Sequence, residues 1–94
     1  MAGVEYDTLD FGGLMGLAKS ETELAERARK FIKAELQKAD VTYAELAERL
    51  KKHGFRHETE DSIKAKLKRG TFAATFLFAT LAALELDGIR LEDI

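Results

Sequence analysis

Ninety-four residues make room for one domain with a modest core. Without cysteine, proline or tryptophan, the chain has neither a disulfide nor a cysteine-based zinc site to staple it. Its 46% hydrophobic and 34% charged residues exclude a disordered chain, and a net charge of −2 gives no overall attraction for nucleic acid.

Met1 to Lys19 reads as a flexible leader with four glycines, Gly3, Gly12, Gly13 and Gly16. Leu9, Phe11, Leu14 and Met15 follow no sustained period, so the leader is expected to be loose, to dock late, or to meet a protein partner. The first 18 residues hold no Lys or Arg but do hold Glu5, Asp7 and Asp10, which fits neither a secretory signal nor a transit peptide. The longest apolar stretch, Thr71 to Leu84, falls short of the roughly 20 residues that span a bilayer. The expectation is a cytoplasmic protein that does not enter a membrane.

The folded domain is expected over residues 20–94. Ser20 and Glu23 have capping-box spacing at the start of a first helix, and Leu24, Ala28, Phe31, Ile32 and Leu36 form its apolar stripe. Thr42 and Glu45 repeat the box at a second helix, with Val41 and Leu46 placed as a hydrophobic staple. Gly54 is positioned as a left-handed stop, after which Phe55 can pack back on Leu50. A third helix starts near Thr59, carries Glu60 and Asp61 in its first turn, buries only Ile63 and Leu67, and ends at Gly70.

The fourth helix is expected from Thr71 to Leu86 and is apolar nearly all round, as a central helix is. Phe72, Phe76, Ala79, Ala83 and Leu86 share one face; Ala73, Leu77, Leu81 and Leu84 share another; Phe78 lies on neither. Gly88 is expected to stop this helix, with Ile89 returning to Leu84, and Leu91 and Ile94 belong to a closing turn or short fifth helix. The predicted fold is all-α, a compact four- to five-helix bundle. Its core should hold Leu24, Phe31, Leu36, Leu46, Leu50, Ile63, Leu67, Phe72, Phe76, Leu81 and Leu84.

Charge is distributed unevenly. Residues 49–70 hold eight basic side chains against Glu58, Glu60 and Asp61, a surplus of five; the remainder holds seven basic and fourteen acidic, a deficit of seven. A basic block within an acidic protein is a partner signal, although a solvated lysine-rich face has the same composition.

An exposed basic helix after a well-capped amphipathic one, followed by an apolar helix, resembles a helix-turn-helix domain. Thr42-Tyr43-Ala44-Glu45-Leu46-Ala47-Glu48-Arg49-Leu50 is similar to the second helix of the Cro/C1 phage-repressor class, and Thr59-Glu60-Asp61-Ser62-Ile63 to the opening of its recognition helix. Arg69-Gly70-Thr71 resembles the turn into that class's fourth helix, and Ile89 to Ile94 the start of its fifth. More closely, Val41 to Ala73 is similar to a family of small uncharacterised bacterial proteins that has no established activity. The turn is extended relative to the phage-repressor class, since Leu50 and Thr59 are nine positions apart.

The resemblance implies a sequence-specific DNA-binding protein, a small bacterial or phage-derived transcriptional regulator acting on double-stranded DNA. Glu60, Asp61, Ser62 and Lys64 would face base edges. Lys51, Lys52, Arg56, Lys66, Lys68 and Arg69 would approach phosphates, as would Thr42 and Thr71 at helix N-termini. The alternative is a helical interaction or dimerisation module without DNA recognition. Phe78 is the candidate dimer contact under either reading.

No nucleophile–base set can be placed, so no enzyme is expected. His53 and His57 have a metal-ligand spacing, but Gly54 lies between them and no third ligand is evident. Neither a metal nor another cofactor is expected.

Overall fold

Side chains that satisfy the first N–H groups of each helix fix three of the four helix starts. The computed structural model describes residues 18–90, 92 and 94. Within them run α1 (Glu21–Ala39), α2 (Tyr43–Lys51), α3 (Glu60–Arg69) and α4 (Ala74–Ala83), with no strand among the described residues. The fold is a small all-α bundle. The leader lies outside the described residues apart from Ala18 and Lys19, and the closing turn does so at 91 and 93.

Ser20 Oγ accepts the Glu23 N–H of α1 at 3.1 Å. The Glu23 carboxylate returns to the Lys19 N–H at 3.0 Å, one residue before the position that a reciprocal box would use. Thr42 and Glu45 complete the box on α2, with Glu45 N–H to Thr42 Oγ1 at 3.1 Å and Thr42 N–H to Glu45 Oε1 at 2.9 Å. Thr59 and Ser62 form a second complete box on α3. The serine hydroxyl there accepts the Thr59 N–H at 2.8 Å in place of the usual carboxylate or amide.

Three helices end in Schellman turns. At Gly54 (φ +92) the N–H reaches the Lys51 carbonyl and the Phe55 N–H reaches Leu50 O, the stop expected from sequence. The same pair of bonds closes α1 at Asp40 (φ 58) and α4 at Glu85 (φ 60), both non-glycine residues in the left-handed region. The end of α4 therefore differs from expectation. The chain turns at Glu85 rather than Gly88, because Leu86 donates to Leu81 O at 2.9 Å and packs on the core as the apolar residue after the turn. Its start also moves, from Thr71 to Ala74. Residues 71–73 are not helical, Ala73 is extended (φ −64, ψ 148), and Phe72 meets Phe76 edge-on at 5.3 Å from this lead-in.

In the packed arrangement, α2 meets both α3 and α4, and α1 meets α3. Leu46, Leu50, Ile63, Leu67, Phe76 and Ile32 are buried at the centre, with Leu36 and Val41 beside them. Phe31 and Phe72, expected in the core, are half-buried against it. Leu24 is a clearer departure, being 48% exposed. The 19 residues of α1 extend about 28 Å, whereas its partners have nine or ten residues each, and only Ile32 and Leu36 on α1 are buried. The first turns of α1 overhang the bundle. Where they meet it, Gly70 (φ +73) lies so close to α1 that a Cβ there would stand 2.5 Å from Ala25 O.

Candidate nucleic-acid interface

With Ile63 and Leu67 buried, α3 turns its remaining surface outward. The predicted base-facing set occupies its first turns: Glu60, Asp61 and Lys64 are exposed, and Ser62 is half-buried. Lys64 Nζ lies 3.9 Å from Glu60 Oε2, a loose exposed pair. The Ser62 hydroxyl is committed to its own chain. It accepts the Thr59 N–H and donates to Glu58 Oε1 at 2.6 Å, so its contribution is to hold the start of α3 in place.

The predicted phosphate set divides by chemistry. Lys52, Arg56, Lys68 and Arg69 are exposed and form no ion pair among the described residues. Lys51 is exposed but pairs with Glu48 at 2.9 Å. Lys66 is half-buried: its ammonium lies 2.8 Å from Glu58 Oε2 and 5.4 Å from the centroid of the Phe76 ring. Thr42 does cap a helix start, but the Glu45 carboxylate already accepts its N–H. Thr71 caps nothing, because α4 begins three residues later with Ala73 at the cap position. That removes the helix-terminus basis for a phosphate contact there.

Lys68 and Arg69 line a shallow hollow with Arg29, Glu21, Glu26 and Thr71 between the end of α3 and the first three turns of α1. Arg29 is paired with Glu26, whose carboxyl this hydrogen bond lowers below the ordinary range. Arg56 lies on the other flank, beside Glu58, Ser62 and Lys66. Arg56 and the pair Lys68 and Arg69 therefore flank α3 on two sides, while Lys52 sits at the end of α2. Phe78, the candidate dimer contact, is 64% exposed on α4.

The DUF6471 family, described as a domain of unknown function, matches residues 15–89. The chain belongs to that family. No curated protein and no solved structure matches this DUF6471 chain. The matched stretch takes in all four helices together with the residues that join them.

Two side chains of the DUF6471 domain have roles that sequence reading missed. Glu58 stands eight positions from Lys66, outside any helical pairing rule, yet it is the carboxylate that organises this end of α3. Burial alone pushes the Glu58 carboxyl up, but the Lys66 ammonium and the Ser62 hydroxyl outweigh it and hold the group below the ordinary range. Arg49, counted with the basic block, is half-buried and donates to the Ala83 carbonyl at 2.9 Å, where the C-terminus of α4 attracts a cation. Their only signal in the sequence is residue type.

No helix of the described residues is long and apolar enough to cross a membrane. No group of three or more candidate metal ligands occurs among them.

Proposed function

We propose that the chain is a sequence-specific DNA-binding protein, a small transcriptional regulator of helix-turn-helix type that presents α3 to the major groove. One observation carries this reading: Arg56, Lys68 and Arg69 flank a helix whose inner face is buried, and these three and Lys52 at the end of α2 are exposed and form no ion pair among the described residues. Cations without internal partners can neutralise phosphate without first breaking an ion pair. The eight residues that join α2 to α3 hold Lys52 and Arg56, so the extended turn supplies charge as well as length. A homodimer joined through Phe78 would present two copies of α3, as paired readers of half-sites do.

The test is fluorescence anisotropy of the full chain on a random duplex pool at low salt, followed by a salt titration. Four phosphate contacts per chain would give a slope of about −3.6 in log K against log salt. Absence of binding at low salt would refute the reading.

The interaction-module reading is favoured by a different observation. Glu60 and Asp61 are both exposed at the end of α3 that would approach the bases, where they oppose phosphate. Sedimentation of the wild type and Phe78→Lys separates the outcomes: a dimer that forms without duplex binding and dissociates in the variant supports the module.

A further inference from the structure

The overhanging part of α1 and the lead-in to α4 enclose an apolar groove of about 590 Å³. Leu24, Ala25 and Ala28 form one wall, and Phe72, Ala73 and Leu77 the other. Leu24, which lines the groove, stands half in solvent. We propose that the occupant is the chain's own segment Phe11–Leu17, laid back along α1, with the acidic residues before it directed at Lys68 and Arg69.

Three features select this occupant. The first is connectivity. The α1 wall runs from Glu21 to Ala28, about 10 Å of helix. Leu14 is seven residues before Glu21, a reach of up to roughly 24 Å, and Gly16 between them permits the reversal. The second is composition: Phe11, Leu14, Met15 and Leu17 suit apolar walls, and the family match opens at residue 15, ahead of α1.

The third feature is charge. The groove shares Glu21, Ala25 and Thr71 with the hollow, where Glu26 already pairs with Arg29 but Lys68 and Arg69 form no ion pair among the described residues. Glu5, Asp7 and Asp10 are the only ionisable side chains of the leader before Lys19 apart from the Tyr6 phenol. A segment whose apolar end lies in the groove would bring these acids within range of those cations. On the DNA reading, the leader would then compete with phosphate for Lys68 and Arg69; the docking itself does not depend on that reading.

The chain has no cysteine, so one spin label can be placed by Leu14→Cys in the full-length protein. Paramagnetic broadening of backbone amides is then measured in isotope-labelled chain diluted into an excess of unlabelled, unmodified chain. Docking predicts that Ala28, Ala73 and Leu77 lose most of their intensity and Gly54 does not. Adding Leu24→Asp should restore the Ala73 and Leu77 signals, whereas Phe78→Asp should leave them broadened. Broadening confined to the first turn of α1 would overturn the proposal. So would broadening that vanishes on dilution, which would place a second copy in the groove.

Discussion

Gly70→Ala tests whether the bundle depends on the close approach of α1 to the end of α3. Gly70 has φ 73 and ψ 3, a left-handed conformation that costs an alanine about 1–2 kcal/mol. The added Cβ would also stand 2.5 Å from Ala25 O and 2.8 Å from Ala25 Cβ. Neither is the end of a flexible side chain, so α1 itself must retreat, at an overpacking cost of about 1–3 kcal/mol. The stiffer unfolded chain returns about 0.4–1 kcal/mol. The net expectation is a loss of about 2–4 kcal/mol, a large part of the roughly 5–14 kcal/mol available to a domain of this size.

Gly54→Ala is the internal control. It meets the same kind of backbone strain at φ +92, but nothing lies within 4 Å of its Cβ, so it should cost only about 0.5–1.5 kcal/mol. Urea unfolding followed by far-UV circular dichroism measures both variants. By heat, each kcal/mol corresponds to roughly 4–8 °C in Tm. Equal midpoints for the two alanines would refute the reasoning, because strain alone would then account for Gly70.

Four further outcomes follow from the geometry. Glu85→Gly should stabilise by about 1 kcal/mol in thermal unfolding, since it relieves a left-handed glutamate at the C-terminus of α4. Leu46→Ala should cost about 2–5 kcal/mol in the same assay, and Leu24→Ala well under half of that, because Leu46 is fully buried and Leu24 overhangs. The Glu58 carboxyl is lowered on folding, so its stabilisation is complete above the ordinary glutamate value of about 4.3 and is lost as pH falls through the lowered one. Urea midpoints of wild type and Glu58→Gln should therefore differ at neutral pH and converge in acid. Lys68→Glu should flatten the salt slope of duplex binding by about 1, and Lys66→Gln should lower stability more than it changes that slope.

What sequence could show, and what it could not, is clearest at the helix ends. The starts of α1, α2 and α3 are legible because a cap is a local event, as Thr42 and Glu45 need only each other, whereas α4 has no side-chain cap and starts three residues after the expected Thr71. The stop at Gly54 was legible because glycine is the residue that the left-handed region favours. The stops at Asp40 and Glu85 were not. There the turn is selected by the packing of the next residue on the core, Val41 buried and Leu86 half-buried, which outweighs the strain of a non-glycine residue. Leu24 failed for a related reason: its periodicity matches the α1 stripe, but how far a helix extends beyond its partners is a tertiary fact. At the candidate site, counting lysines found the charge but not its commitments. Lys66 and Lys68 look alike in the sequence, and only packing reveals that one is held by Glu58 while the other faces solvent.

The corner between α1 and α2 bears on how chains of this type could vary in length. Its three residues are all occupied: Asp40 makes the stop, Val41 is buried and donates to Leu36 O, and Thr42 caps α2. Adding or removing one would either pull Val41 from the core or strip a helix of its cap, so this joint is a rigid elbow of fixed size. The connection at 52–59 is anchored at both ends, by Phe55 against the core and by Glu58 and Thr59 at the start of α3, but Arg56 and His57 between these anchors are exposed. Insertions should accumulate there, which would leave the α1–α2 frame constant while the approach to α3 is remodelled.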